Sequence, residues 1–213
     1  MKVYYNERAH EYEKVYFRED PIRQKEQEEI RNKMELLFKS KKVLEVACGT
    51  GYWTQFIAKT AKHITAIDYS KEVLTVAQQK GIPALKATFY EGDVYQLNKI
   101  PGSFEGCIAN FWYSHVPRSK TQEFLRKLHK KLGPGAIVFM ADNVYMDSIG
   151  GTLLNKENDP NTYKVRTLED GTKYEIIKNY YTKEELRDIF APFSNELEIH
   201  MGKCFWWISY KIK

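Results

Sequence analysis

The sequence predicts an α/β fold built on a doubly wound, mostly parallel sheet of seven strands. Five short apolar segments alternate with helical segments between residues 42 and 141. This alternation is typical of parallel strands covered by helices on both faces. Two strand-like segments, 196–201 and 204–212, then follow each other directly. So short a link cannot carry a parallel crossover, and we therefore expect the last strand to run antiparallel.

Strand and helix boundaries follow from apolar runs and capping residues. The five alternating strands are predicted at 42–46, 63–67, 87–91, 106–110 and 136–141. A helix start is indicated where a residue with a short polar side chain precedes an apolar helical face. Such signals occur at Asp20-Pro21, Ser70, Ser119-x-x-Gln122 and Thr182-x-x-Glu185.

The chain is predicted to be one domain in four parts. Residues 1–40 form an N-terminal helical cap, 41–142 the central core, 143–181 a β-hairpin insertion or lid, and 182–213 the last helix with the antiparallel strands. The hairpin prediction depends on Asp170-Gly171, which lies between two β-rich runs and favours a tight turn.

Composition narrows the class of protein. The chain has 213 residues, of which 43% are hydrophobic, and its net charge is +5. Basic residues are interspersed with acidic ones, so a soluble surface is preferred over a nucleic-acid footprint. The three cysteines are far apart, which predicts neither disulfides nor zinc and favours the reducing cytoplasm. No apolar run approaches membrane length, and residues 1–14 are too polar for a signal peptide, so no membrane contact is expected.

Candidate site residues follow the predicted strands. In an open α/β sheet, ligands bind in the crevice beyond the carboxyl ends of the strands. Glycines at this edge let the backbone approach a ligand closely. The candidates are Glu45, Ala47, Cys48, Gly49 and Gly51 after the first strand, Asp68 and Tyr69 after the second, Asp93 and Val94 after the third, Asn110, Phe111, Trp112 and His115 after the fourth, and Asn143 after the fifth.

The pattern favours an adenosine-containing cofactor with a positive charge over a nicotinamide dinucleotide. Asp68 can accept hydrogen bonds from both hydroxyls of a ribose. A dinucleotide site needs a third glycine in its loop, but Tyr52 and Trp53 follow Gly51 here. Glu45 would repel a pyrophosphate, whereas it would attract a positively charged group.

Three motifs resemble those of the class I S-adenosylmethionine-dependent methyltransferases. VLEVACGTG (43–51) is similar to the first motif of that family, with Ala47 in place of its first glycine. ITAIDYS (64–70) carries Asp68 at the ribose-binding position, and EGDVYQL (91–97) carries Asp93 at the position that contacts the adenine amine. The resemblance implies a Rossmann-like fold and S-adenosyl-L-methionine as cofactor, with 41–142 as the cofactor-binding core.

The resemblance also implies how the cofactor is held. Glu45 would face the amino end of its methionine part, although a carboxylate here can instead cap the following helix. In many small-molecule members an N-terminal aromatic side chain contacts the methionine side; Tyr5 and Tyr12 are candidates, and an amphipathic surface helix is the alternative. The predicted cofactor-binding residues are Glu45, Ala47, Cys48, Gly49, Gly51, Trp53, Asp68, Tyr69, Asp93, Val94, Asn110, Phe111, Tyr5 and Tyr12.

The segment NFWYSHVPR (110–118) is predicted to lie beside the transferable methyl group. His115 is the candidate general base because the ordinary pKa of histidine lies near neutrality, and a histidine that only orients the loop is the alternative. Arg23 and Arg118 are candidates for binding an anionic group, with solvated arginines as the alternative. The predicted substrate residues are Trp112, Tyr16, Arg118, Asn143 and Arg166.

The predicted function is in-line transfer of a methyl group from S-adenosylmethionine to an oxygen or nitrogen atom of a small molecule. A nucleic-acid or protein methyltransferase is the first alternative, but residues 110–113 lack the two prolines of nucleobase amino-methylases. A non-catalytic cofactor-binding protein and a nicotinamide-dependent oxidoreductase are the others. No metal site is predicted, and the chain is expected to be a monomer or a homodimer.

Overall fold

A computed structural model describes residues 2–9, 11–146 and 152–213 of the chain. It contains the predicted seven-stranded sheet and a smaller three-stranded sheet. The strands are β1 (Lys42–Val46), β2 (His63–Asp68), β3 (Ala87–Glu91), β4 (Gly106–Asn110), β5 (Ile137–Asn143), β6 (Leu154–Asn155), β7 (Thr162–Thr167), β8 (Lys173–Ile177), β9 (Glu198–Met201) and β10 (Phe205–Lys211). The helices are α1 (Lys2–Arg8), α2 (Pro21–Leu37), α3 (Thr54–Ile57), α4 (Lys71–Gln78), α5 (Thr121–Leu132) and α6 (Lys183–Phe190).

The strand order of the large sheet is β3-β2-β1-β4-β5-β10-β9. β1 pairs in parallel with both β2 and β4, so the chain builds the sheet outward in both directions from its first strand. β10 runs antiparallel to β5 and to β9, with Phe205 opposite Asn143. The predicted fold class, including the antiparallel last strand, is confirmed.

Hydrophobic side chains pack on both faces of this sheet. One layer lies around α5 and α6, and the other around α2 and α3. The α2 layer approaches the sheet so closely that a Cβ at Gly106 would lie 2.6 Å from both the Ile137 carbonyl oxygen and the Phe38 ring. Close backbone packing therefore requires glycine at this position of β4.

The predicted hairpin is formed by β7 and β8, which pair antiparallel across a turn that contains Gly171 at φ +88°. β6 adds a short third strand that the sequence did not predict. A small hydrophobic cluster of Tyr4, Leu168 and Ile176 joins α1 to this hairpin. Residues 147–151 of the predicted insertion lie outside the described residues.

Capping residues begin most helices as predicted, with one exception. Asp20 accepts hydrogen bonds from the first turn of α2, Ser70 caps α4, and Thr182 forms a capping box at α6. The capping box predicted at Ser119 is wrong, because residues 118–120 form a 3-10 turn and α5 begins one residue later than predicted, without a side-chain cap. Within the described ranges, no helix is long and apolar enough to cross a membrane.

Candidate active site

The carboxyl ends of β1 to β4 open into a cavity of about 680 Å³. This volume lies within the roughly 300–1,000 Å³ typical of pockets that hold small ligands. The cavity sits where the strand order reverses between β1 and β4, which is the usual ligand site of an open α/β sheet. The predicted residues that line it are Tyr5, Tyr12, Ala47, Gly49, Asp68, Tyr69, Asp93, Val94, Asn110, Phe111, Trp112 and His115.

The loop after β1 has the left-handed backbone that its glycines permit. Ala47, Gly49 and Gly51 have φ of 52°, 55° and 74°. A Cβ at Gly51 would lie 3.1 Å from that of Ala77 in α4, so this glycine allows the loop to pack on the helix. A Cβ at Gly49 would meet no described atom within 4 Å, so Gly49 instead leaves space in the cavity wall.

Asp68 holds this loop in place. One of its carboxylate oxygens accepts a hydrogen bond from the Gly49 amide at 2.9 Å, and the other accepts one from the Ser70 amide at 3.0 Å. Burial raises the pKa of Asp68, while these amides oppose that shift because they stabilise the carboxylate. Asp93 similarly accepts from the Tyr95 amide at 2.8 Å. Both acids therefore line the cavity in fixed orientations, as a ligand that donates hydrogen bonds requires.

Four predicted cofactor residues do not line the cavity: Glu45, Cys48, Gly51 and Trp53. The buried Glu45 carboxylate accepts a hydrogen bond from the Thr54 hydroxyl at 2.7 Å, at the first residue of α3. Burial raises the pKa of Glu45 to about 7. Trp53 stacks on Phe111 and thus supports the cavity wall from behind.

S-adenosylmethionine fits the groups that face this cavity. The side-chain oxygen of Asn110 is buried and has no hydrogen-bond partner among the described residues. It lines the same cavity as Asp68 and Asp93, so the site presents one unsatisfied acceptor and two carboxylates. The ribose hydroxyls and amino groups of an adenosyl cofactor are donors that match these acceptors. Asp68 and Asp93 remain the predicted partners of the ribose and the adenine amine.

His115 is held by hydrogen bonds on both ring nitrogens. Nδ1 lies 2.6 Å from the Ile177 carbonyl oxygen, which only accepts, so Nδ1 carries the hydrogen. Nε2 therefore accepts from the Tyr5 hydroxyl, at 2.8 Å. Burial, with the nearby Lys178 as a second cause, lowers the pKa of His115 to about 3. His115 is thus a neutral imidazole whose lone pair is taken by Tyr5. A direct role as general base would require Tyr5 to move away.

A second, smaller cavity of about 120 Å³ adjoins the first. The two share Tyr5, Tyr12, Phe111 and His115 as lining residues. Of the predicted substrate residues, Tyr16, Asn143 and Arg166 line the small cavity and Trp112 lines the large one.

Arg118 lines neither cavity. Its guanidinium donates to Glu185 at 3.1 Å and to the Tyr180 carbonyl at 3.0 Å. Arg8, Lys164 and Lys178 line the small cavity and were missed, because no motif marks them.

Residues 43–135 match the family model of a methyltransferase domain. An uncharacterised methyltransferase of Bacillus licheniformis is 23% identical over 167 residues, which cover 78% of this chain and 75% of that protein. A demethylmenaquinone methyltransferase of Staphylococcus aureus is 30% identical over 103 residues, which cover 47% of this chain and 42% of that protein. The match thus spans less than half of the staphylococcal enzyme.

Solved structures share the fold over nearly the whole chain. A DhpI–SAH complex is similar with a TM-score of 0.75 at 22% identity, covering 99% of this chain and 94% of that one. A DhpI–SAM–HEP complex is similar with a TM-score of 0.74 at 23% identity, covering 97% of this chain and 94% of that one. The family-model match and the cavity agree. The matched residues 43–135 include the three motifs, and residues of all three motifs line the cavity. Residues 43–135 are therefore similar to a methyltransferase domain, the chain has the fold of S-adenosylmethionine-dependent methyltransferases, and the groups that line its cavity fit S-adenosylmethionine.

Proposed function

We propose that the chain transfers the methyl group of S-adenosylmethionine to an oxygen or nitrogen atom of a small molecule. The observation that carries this proposal is the second cavity, because it shares four lining residues with the cofactor cavity and holds only about 120 Å³. An acceptor in it would lie next to the shared residues Tyr5, Phe111 and His115. A macromolecular acceptor would need a wider approach than so small a cavity offers.

The residues of the chain would promote the reaction mainly by holding the cofactor and the acceptor in the correct relative orientation. When bound, S-adenosylmethionine supplies a methyl group that is already electrophilic. Asp68, Asp93 and Asn110 would fix the cofactor, and the aromatic side chains of Tyr5, Tyr12 and Phe111 would shield the junction of the two cavities from water. Holding two reactants in line can lower a barrier by up to roughly 7–11 kcal/mol. Positioning is therefore sufficient for the main part of the catalysis.

Named relatives support a small-molecule acceptor. The Staphylococcus aureus relative is a demethylmenaquinone methyltransferase, and a similar solved structure is CalS10, an amino pentose methyltransferase of Micromonospora echinaspora. A nucleic-acid or protein acceptor and a cofactor-binding protein without activity are the alternatives. We also infer a cytoplasmic location from the three unpaired cysteines, and a monomer or homodimer.

Calorimetric titration with S-adenosylmethionine, S-adenosylhomocysteine and NAD tests the cofactor site. We expect both sulfur compounds to bind and NAD not to bind. Asp68→Asn should weaken binding by about 10–100-fold, because a hydrogen bond to a charged group contributes roughly 1.5–3 kcal/mol. Asp188→Asn, on the exposed face of α6, is the matched control and should leave the affinity unchanged. Binding of NAD instead of the sulfur compounds would contradict the assignment.

The proposed reaction has a separate test. Incubation of the protein with S-adenosylmethionine and a library of small alcohols, amines and acids, followed by mass spectrometry, should reveal a product heavier by one methylene unit. Transfer to protein or nucleic acid, with no small acceptor used, would support the alternative.

A further inference from the structure

The small cavity is lined by cations. Six basic side chains face it, and none of the described lining residues is acidic. They come from α1, α2, the loop between these helices, and the hairpin. The six are Arg8, Arg18, Arg23, Lys164, Arg166 and Lys178.

One of these cations is already paired. Lys178 donates to Asp142 at 2.8 Å, to the Ser114 hydroxyl at 2.7 Å and to the Asn143 side chain at 3.0 Å. All three hydrogens of its ammonium group are thereby used. Asp142 is buried behind Lys178 and does not line the cavity. It therefore balances the charge of Lys178, whereas no described acid lines the cavity beside Arg23 and Arg166.

Two arginines have unsatisfied donors inside the protein. Arg23 is only 8% exposed, and its Nε has no hydrogen-bond partner among the described residues. Its guanidinium lies over the Phe205 ring, 4.5 Å from the centroid. The Nε of Arg166 is likewise buried without a partner. A buried donor without an acceptor costs free energy, so an anion that accepts from these two Nε groups would be stabilising here.

Lys164 and Lys178 increase the positive electrostatic potential inside the small cavity. Lys164 is buried, and burial together with Arg166 and Lys178 lowers its pKa to about 8. Lys178 also helps to keep His115 neutral. An anion in this cavity would reverse these unfavourable interactions, because opposite charges attract strongly where water is excluded.

We propose that the small cavity binds an oxyanion of the methyl acceptor, held by Arg23 and Arg166, and that an oxygen of this oxyanion receives the methyl group. The proposal rests on the methyltransferase function proposed above. The oxyanion is a carboxylate, phosphate, phosphonate or sulfonate of a small molecule. The planar guanidinium group presents paired donors that match two oxygens of such groups.

An ionised oxygen also suits the chemistry at the junction of the cavities. Its lone pair forms the bond to the methyl carbon while the bond from that carbon to sulfur breaks. The electron pair of the broken bond stays on sulfur, and no proton is transferred. The site therefore needs no general base, which agrees with a neutral His115 whose Nε2 is occupied by Tyr5.

Anion binding can be measured without turnover. We would saturate the protein with S-adenosylhomocysteine and titrate it calorimetrically with inorganic phosphate, methylphosphonate, acetate and the uncharged control methanol. At least one anion should bind, and methanol should not. Arg23→Gln and Arg166→Gln should each weaken anion binding by about tenfold or more. Arg187→Gln, exposed on α6, is the matched control and should bind as the unaltered protein does.

The same titrations separate the two proposals. Unaltered affinity for S-adenosylhomocysteine in both arginine variants would show that they fold and keep the cofactor site. Anions that bind these variants as tightly as the unaltered protein, or that fail to bind it at all, would overturn the oxyanion site and leave the methyltransferase function standing. Loss of S-adenosylhomocysteine binding by the unaltered protein would instead overturn the proposed function. Preference for phosphate and methylphosphonate over acetate would identify a tetrahedral acceptor, and the reverse a carboxylate.

Discussion

Glu45 is a buried carboxyl group whose protonation differs between the folded and the unfolded chain. It lies in β1, fully enclosed, and its carboxylate accepts a hydrogen bond from Thr54 at the start of α3. The hydrogen bond favours the ionised form, but burial outweighs it and raises the pKa to about 7. The free protein therefore keeps Glu45 largely protonated in mildly acidic solution, whereas the unfolded chain does not.

This difference predicts a specific dependence of stability on pH. Because the folded state holds the Glu45 proton more tightly, the contribution of Glu45 to the free energy of unfolding should fall as the pH rises from 4.5 to about 7. The expected loss is about 2–4 kcal/mol, at roughly 1.4 kcal/mol per pKa unit. Urea unfolding of the unaltered protein and of a Glu45→Gln variant across this range measures this loss as a difference, because the lowered pKa of His115 changes the stability of both proteins in the opposite direction.

Glu45→Gln should remove this part of the pH dependence, because the amide does not titrate and can still accept from Thr54. Glu184→Gln, on the exposed side of α6, is the control and should retain it. Parallel stability curves for the unaltered protein and Glu45→Gln would contradict the prediction.

At the residue scale, the sequence predicted where a residue lies in the fold better than the direction in which its side chain turns. Asp68, Asp93 and Gly49 line the cavity because strand ends and turns fix where backbone atoms lie. The sequence does not show which way a buried side chain turns. Arg118 was assigned to the substrate, but its guanidinium binds Glu185, 67 residues further along the chain.

At the scale of elements, segments far apart in sequence close the small cavity. Tyr5 in α1 contacts His115 after β4, and Lys178 at the end of the hairpin contacts Asp142 in β5. The segment after α1 is also fixed, because Glu13 accepts from Thr50 in the β1 loop and pairs with Lys80 at 2.7 Å. The cap and the hairpin are therefore attached to the sheet through polar contacts at the site itself.

The Lys178–Asp142 pair should be essential for attaching the hairpin. Lys178→Met leaves the buried Asp142 carboxylate without its cation, which typically destabilises a protein by about 3–5 kcal/mol. Urea unfolding should detect this loss, whereas Lys173→Met, exposed in β8, should have little effect. The double variant Lys178→Met/Asp142→Leu should recover part of the stability because no unpaired charge remains. Equal stability of Lys178→Met and Lys173→Met would show that the pair does not attach the hairpin.

Element boundaries were predicted well where local signals are strong. Alternating apolar runs and the Asp170-Gly171 turn correctly placed the sheet and the hairpin. The two-residue strand β6 carries no periodicity, and it forms only because β7 offers an edge to pair with. α5 begins one residue later than predicted, next to Arg118, whose side chain is held by α6 and by the end of the hairpin. Contacts between segments far apart in sequence determine short strands and helix ends of this kind, and a local sequence pattern does not reveal those contacts.

At the scale of the whole molecule, a group of basic residues surrounds the small cavity. Six basic residues line the small cavity, while the net charge of the chain is only +5. Several surface lysines lie beside acids instead, as in the Lys33–Glu198 and Lys211–Glu196 pairs. Among the described residues, such ion pairs neutralise part of the positive surface charge, which disfavours the concentrated basic stripe of a nucleic-acid-binding protein.

This distribution predicts that the protein distinguishes small anions from polyanions. A short DNA duplex should neither bind strongly nor displace phosphate from the protein, because its backbone cannot enter a cavity of about 120 Å³. Fluorescence anisotropy of a labelled duplex at increasing salt, with and without phosphate, measures both effects. Lys211→Gln, which removes a surface cation, should change neither the phosphate nor the duplex result. Tight duplex binding that weakens steeply with salt would indicate neutralised phosphates along an outer surface, and would favour a nucleic-acid methyltransferase instead.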